Sequence, residues 1–287
     1  MVVTAPKRAI VDYLQQCFGT SERRACRTMG IARSVYEYRS RRNPHAAIRS
    51  RMREIAQTRM RYGYRKIHVL LNREGFRLGK HLMRRLYREE RLALRYRPKR
   101  RSRAQGTRPE RRPTARPNAA WSLDFVSDQL GNGLRFRALT VLDVFTRECV
   151  AITVGQRLTG SEVVATLERC RSQRGTPQRL FCDNGSEFTS QVLDLWAYHR
   201  GVAIEFSRPG KPTDNAFIES FNGTLRDECL NAHWFTTLDD AKEKIEAWRQ
   251  EYNVSRPHRA LGEIPPTEFA QRFRDLAAES KDKGAGD

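Results

Sequence analysis

Between Trp121 and Leu225 the apolar residues change period again and again, and that succession limits the possible folds more than any other feature of the chain. Trp121-Ser122-Leu123-Asp124-Phe125-Val126 alternates, with Leu123 and Phe125 on one face and Asp124 on the other. Strand-like runs at 136–142 and 149–154 follow, across turns at Asn132-Gly133 and 143–147, so three consecutive strands predict an antiparallel meander. A helix is predicted over 160–171, with Val163, Val164, Leu167 and Cys170 on one face. Then come a short strand at 179–182, a helix around Val192, Leu193, Leu195 and Trp196, and a fifth strand at 202–206. A Gly/Pro-rich loop at 207–212 leads into a helix from about Asp214 that carries Phe217, Ile218, Phe221 and Leu225. The order β-β-β-α-β-α-β-α predicts an α/β fold, a mixed sheet flanked by helices. A further helix is predicted over 238–252, with Trp121, Trp196 and Trp248 read as core and the tail after Ser280 as frayed.

Charge divides the chain differently. The 287 residues hold 54 Lys+Arg and 33 Asp+Glu, a net +21, but residues 1–117 carry 33 basic against 8 acidic groups and the remainder 21 against 25. A cationic front half ahead of a mildly acidic back half predicts a polyanionic partner, most often nucleic acid. No apolar run approaches the roughly 18 to 20 residues of a membrane span, so a soluble protein with no membrane partner is expected. Cys17, Cys26, Cys149, Cys170, Cys182 and Cys229 show neither paired nor zinc-ligand spacing, which predicts reduced and mostly buried thiols.

The front half reads as all-α. Helices are predicted over 7–17, over 22–28 with Ser21 as cap, and over 33–39 after a turn at Gly30. That is a helix-turn-helix candidate, with Arg33, Ser34 and Tyr36 near base edges or phosphates; the alternative is an ordinary helical packing unit. Residues 46–92 repeat the theme with three amphipathic helices. On the last, Lys80, Arg84, Arg85 and Arg88 lie opposite Leu82 and Leu86, a second DNA-contacting face or else a solvated one. Arg95 to Pro117 is arginine- and proline-rich with little to bury. The organisation expected is a helix-turn-helix segment at 1–42, a second DNA-binding domain at 43–94, a basic linker at 95–117, a core with C-terminal helices at 118–275 and a disordered tail at 276–287.

Three acids fall where a sheet-based phosphoryl-transfer site needs them. Asp124 lies in the first strand, Asp183 ends the fourth before an Asn184-Gly185 turn, and Glu219 lies early in the helix after the 207–212 loop, with 35 residues between it and Asp183. In-line displacement at a phosphodiester needs an activated oxygen, a stabilised leaving oxygen and charge relief, which two divalent ions about 3.5 to 4 Å apart supply. Hard cations take anionic oxygen ligands. Asp124 bridging two ions, with Asp183 and Glu219 each holding one, satisfies that need.

Trp121-x-x-Asp124, Asp183-Asn184-Gly185-x-Glu187-Phe188 and Pro209-Gly210-Lys211-Pro212-x-Asp214-Asn215-Ala216-x-Ile218-Glu219-Ser220-Phe221-Asn222 resemble the integrase catalytic core of bacterial insertion-sequence transposases. The likeness is to the second-frame (OrfB) protein of the group related to retroviral integrases. Tyr252-Asn253 with Arg256-Pro257-His258-Arg259-Ala260-Leu261-Gly262 resembles that group's C-terminal motif, and Tyr62-Gly63-Tyr64-Arg65-x-Ile67-His68 its upstream helix-turn-helix, where Arg65 joins the expected DNA contacts. The resemblance covers roughly residues 20 to 272. It implies a ribonuclease-H-like core, Mg²⁺ or Mn²⁺ with two ions per site, cleavage at element ends and strand transfer by a 3′-hydroxyl, with Asp124, Asp183 and Glu219 as the catalytic and metal-binding triad. It implies double-stranded DNA as partner, a homo-oligomer, and a bacterial cytoplasmic, nucleoid-associated location.

Two departures matter. The His-His-Cys-Cys zinc module of retroviral integrases is absent from the sequence, so end recognition falls to the helical front half. The group also makes its active enzyme by frameshift fusion to an upstream frame, so an upstream-frame fusion partner is expected for a chain without heptads after Met1. Among other acids, Asp143 is expected to close a hairpin, Asp214 to cap a helix, and Glu187 is the spare ligand, while Asp227 is given no role. Lys211 and Arg208 contact phosphates or else sit on a solvated loop. Asn215 and Asn222 flank Glu219 on one helix face and are expected to support it or touch DNA. His258 orients a carboxylate or is simply packed. The competing readings are a structure-selective nuclease on the same core and a DNA-binding regulator with a degenerate one.

Overall fold

The computed structural model describes residues 4–38, 45–94, 114–208 and 215–284, with side chains from 6 as far as 276. The chain divides into two compact units, Met1–Ala46 and Ala47–Asp287.

In the first unit α1 (Thr4–Phe18), α2 (Glu22–Thr28) and α3 (Arg33–Glu37) close on Val11, Ala25, Cys26 and Ile31. Gly30, at φ +58°, makes the turn between α2 and α3, where a side chain would be strained. Ser21 stands at the N-cap of α2 but its side chain makes no cap bond. The helix expected over 33–39 ends at Glu37; 39–44 lie outside the described residues.

The second unit begins with α4 (Ala46–Thr58), α5 (Tyr64–Arg73) and α6 (Lys80–Glu89), whose apolar stripes bury Met52, Ile55, Ile67, Leu71, Met83 and Leu86 against one another. Arg51 clamps Glu74 through Nε and Nη2 at 2.8 and 2.9 Å, tying α4 to the end of α5. Residues 95–113 of the expected linker lie outside the described residues.

The sheet that follows has the order β3-β2-β1-β4-β5. β1 (Trp121–Gln129), β2 (Arg135–Asp143) and β3 (Cys149–Gly155) form the antiparallel meander, and β4 (Arg179–Cys182) and β5 (Ala203–Phe206) add in parallel on the other side of β1. Asp143 closes the β2–β3 connection by accepting from the backbone of Asn118, Phe145 and Thr146. α7 (Gly160–Arg174) and α8 (Gln191–Arg200) cover one face over Trp121, Leu123, Leu139 and Val141. α9 (Ala216–Glu228) and α10 (Leu238–Val254) cover the other over Val126, Phe136, Ala138 and Leu142. Because strand side chains alternate, Asp124 falls on the α9 face, in register opposite Thr140. All three tryptophans expected in the core are there, Trp121 completely enclosed and Trp196 and Trp248 nearly so.

α11 (Pro266–Gly284) runs into the 276–287 tail, its backbone helical to Gly284 with Pro266 at its start; 285–287 lie outside the described residues. Phe269 and Phe273, one turn apart on α11, pack their rings on Phe145 at 5.6 and 4.9 Å. No described helix is long and apolar enough to cross a membrane.

Candidate active site

The site is built where β1 and β4 run side by side beneath the first turns of α9. Ser122 is paired in register with Phe181, so Asp124 and Asp183 each follow two residues beyond the last paired positions of these neighbouring parallel strands. Asp124 is half-buried. Its Oδ1 accepts from the Phe125 backbone N–H at 2.8 Å and its Oδ2 from Asn222 Nδ2 at 2.8 Å. Burial pushes its carboxyl above the usual carboxylate range, and the neighbouring Asp183 charge adds to the rise. Asp183 is exposed just past β4, and its Oδ1 accepts from the Gly185 N–H at 2.9 Å, which closes the Asn184-Gly185 turn. Asn184 ties that turn to the strand end by donating to Ser207 O at 2.8 Å. A Cβ at Gly185 would stand 3.0 Å from Asp183 Oδ1, so a side chain there would press on the carboxylate.

Glu219 lies exposed in the first turn of α9; desolvation by the residues around it and then the Asp124 charge push its carboxyl up as well. Two asparagines fasten that helix to β1. Asn215 is buried, accepts from Ser122 Oγ and donates to Leu123 O at 3.2 Å. Asn222 accepts from Thr140 Oγ1 at 3.0 Å while donating to Asp124. Ser122 and Thr140, both buried, were not singled out by sequence; the signal was there, since each alternates onto the Asp124 face of its strand. Asp214 and Lys211 lie outside the described residues.

The three acids interact pairwise through Asp124, but among the described residues no three His, Cys, Asp or Glu side chains converge on a point able to hold a metal ion. Glu187, expected as the spare ligand, is paired with Arg137, which holds it below the usual carboxylate range and lies 4.0 Å over the Phe125 ring. His258 stands elsewhere, receiving Arg256 Nη1 at 3.1 Å, so the carboxylate it helps to orient, through Arg256, is Glu228.

The residues expected to touch DNA sort by exposure. Arg65, Lys80, Arg84, Arg85 and Arg88 are exposed, and the last four stand on α6 opposite buried Met83, Leu86 and Tyr87. Arg85 lies 3.6 Å from Glu89. In the first unit Arg33 pairs with Glu22 at 2.7 Å and Glu37 at 3.2 Å, and the Tyr36 hydroxyl donates to Asp12 at 2.6 Å, which turns both side chains toward their own unit.

Residues 114–212 and 200–266 match the integrase core domain family, and 44–100 match an HTH-like domain family. The chain is similar to a 31.7 kDa protein of insertion element IS407 from Burkholderia multivorans, at 48% identity over 90% of this chain and 93% of that protein. The chain belongs to the OrfB family of insertion-sequence transposases. Within this transposase family, a 39.2 kDa protein of insertion element IS476 from Xanthomonas euvesicatoria is 42% identical over 95% of this chain and 79% of its own length. The fold of the transposase core is also that of a chain in the cryo-EM structure of the simian T-cell lymphotropic virus intasome in complex with PP2A regulatory subunit B56 gamma. That match has a TM-score of 0.50 at 19% identity and covers 58% of this chain and 59% of that one.

Proposed function

We propose that the chain cleaves DNA at the ends of its element and transfers the freed 3′-hydroxyl into target DNA, with Asp124, Asp183 and Glu219 as the catalytic, metal-binding carboxylates. The observation that carries this reading is the direct hold of α9 on β1 and β2: Asn222 bonds both Asp124 and the Thr140 hydroxyl, so the helix bearing Glu219 is aligned on the strand bearing Asp124, the strand that also pairs with β4. The donor set is all carboxylate oxygen, which suits Mg²⁺ or Mn²⁺, and the raised Asp124 and Glu219 carboxyls are those a cation would return to the charged form. When bound, a pair of such ions supplies charge relief on the phosphate and an activated oxygen. The chain's own part is to fix Asp124 through Phe125 and Asn222, to hold Asp183 on its turn, and to bring Glu219 up on α9.

Lys80, Arg84, Arg85 and Arg88 on α6, with Arg65 on α5, form the face we assign to the duplex phosphates, within a DNA-binding domain of 43–94. Arg33 and Tyr36 serve DNA only if they release their present partners, and Lys211, before Glu219, is assigned to the phosphates next to the cut. Self-association follows from the need to hold two ends together, and an upstream-frame fusion partner belongs to the same reading.

The test is product analysis with full-length protein, duplex element ends, a target plasmid and Mg²⁺. End-specific joined products are expected, and Asp183→Asn is expected to lower joining by about 10³-fold or more while end binding persists. Hydrolysis without joining for every cognate end points to a nuclease and refutes the proposal. A second reading, a DNA-binding regulator on a degenerate core, draws on the failure of the three acids to converge, and undiminished end binding with no metal-dependent chemistry of any kind supports it.

A further inference from the structure

Two sequence motifs that the reaction leaves unused meet in one cluster. Tyr62 and Lys66 come from the turn before α5 and its first turn; Tyr252, Arg256 and His258 come from the end of α10 and the segment after it; between them stands Glu228, the last residue of α9. Arg256 donates to both Glu228 oxygens, at 2.8 and 3.0 Å, and Lys66 Nζ donates to Oε1 at 2.6 Å. The Lys66 ammonium lies 4.5 Å from the centre of the Tyr62 ring, and the Arg256 guanidinium 5.3 Å from that of Tyr252. Side-chain exposure is 10% for Glu228 and Arg256 and 25% for Lys66, so the cluster escapes the solvent screening that makes surface pairs weak. Although burial pushes the Glu228 carboxyl upward, the Arg256 fork and the Lys66 charge hold it below the usual range. One use of an enclosed ion pair is to fix a geometry rather than to add net stability.

The geometry fixed here is that of the helix carrying Glu219. Glu228 is nine positions beyond Glu219, about 13.5 Å along α9. Asn215 and Asn222 tie the first part of the helix to β1, and Glu228 ties its far end to Arg256 and, through Lys66, to α5. We propose that the Lys66–Glu228–Arg256 cluster makes the placement of Glu219 depend on the seating of the α4–α6 segment, so that duplex bound by that segment is registered at the reaction centre through α9. Lys66 is the positioning residue that links the two, while Arg256 retains Glu228 in its absence. His258, kept neutral among Arg256, Lys66 and Arg147, accepts the Arg256 Nη1 and leaves the guanidinium satisfied. The same segment also reaches α10 through Arg59 and Glu251 and α11 through Arg73 and Glu268 at 2.6 Å, but those pairs are more exposed.

The inference rests on the strand-transfer reading above, and its experiment separates the two. Full-length Lys66→Met and Lys66→Arg are compared with the parent for end-DNA binding, strand transfer and backbone hydrogen exchange in α9. Lys66→Met is expected to bind ends within about twofold of the parent but to transfer strands about 10²-fold more slowly, as misplacement of a reacting group by about an ångström does. Amides of 219–228 are expected to exchange about tenfold faster, and Lys66→Arg to recover both properties. Transfer by Lys66→Met within twofold of the parent, unchanged exchange in α9, or end binding lost as steeply as transfer overturns the proposal. Should the parent itself join no ends, the strand-transfer reading falls, and exchange in α9 alone decides the coupling.

Discussion

Asn222 does two jobs with one amide, accepting from Thr140 and donating to Asp124. Asn222→Leu keeps the bulk but removes the donor, so the Asp124 carboxylate loses a stabilising bond and its already raised carboxyl rises further. We expect strand transfer to fall about 10- to 10²-fold with end binding intact, and the acid limb of its pH–rate profile to move upward; an unmoved limb would show that the bond does not tune Asp124. His258 titrates in the opposite sense. Burial first, then the charges of Arg256, Lys66 and Arg147, push its ring from 6.5 down to about 3. A folded value below the unfolded one means that its contribution to stability is complete above about 6.5 and is lost as the pH falls from there toward 3. His258→Gln, which can still accept from Arg256, is expected to flatten the acid-side decline in unfolding free energy by up to about 1.4 kcal/mol per pH unit. Urea melts between pH 4 and 7 measure it, and parallel declines in both proteins would exclude the effect.

The elements around the site show why some of it was legible in sequence. β1 could be read because Leu123 and Phe125 alternate with Asp124, and β4 because a short apolar run ends at a turn-forming Asn184-Gly185. α11 was not placed, although Pro266 at its start and Phe269 and Phe273 four apart carried the signal, because its ring partner Phe145 sits in a distant hairpin. The pairing of Glu187 was hidden for a similar reason: its partner Arg137 is on β2, and no local spacing reveals a cross-sheet pair. α7 adds a test at this scale. Thr159 and Glu162 form a capping box at its N-terminus, and a Cβ on Gly160 would stand 2.2 Å from Ser190 Oγ and 2.7 Å from Ser190 Cβ, in the segment that follows Asp183. Gly160→Ala is expected to cost about 1–3 kcal/mol by overpacking, seen as a lower urea midpoint, with strand transfer reduced as the 183–190 segment is displaced. An unchanged midpoint would mean that the segment yields freely.

Across the whole molecule, charge is distributed by task. The excess of basic groups lies in residues 1–117, while the core beyond them is slightly acidic. Local acids such as Glu74 and Glu90 are taken up by Arg51 and Arg49, leaving Lys80, Arg84 and Arg88 without an ion pair among the described residues. Replacing these three by Gln is expected to make the dependence of log affinity on log salt shallower by about 2 to 3, with weakening that is uniform across duplex sequences. A slope equal to the parent's would move the phosphate contacts off α6. The partition of charge could be read from sequence at once, but the seating of α4–α6 on α9, α10 and α11 could not, since Lys66 and Glu228 are 162 residues apart. Thiol reactivity is as unevenly spread as charge. Cys26, Cys149, Cys170, Cys182 and Cys229 are buried, with burial pushing Cys170 up to about 11 and Cys182 and Cys229 to about 12, whereas Cys17 on α1 is exposed. A maleimide dye added to the native protein should therefore mark one site without mutagenesis, giving fluorescence a ready-made reporter in the amino-terminal unit while the rest of the chain stays dark.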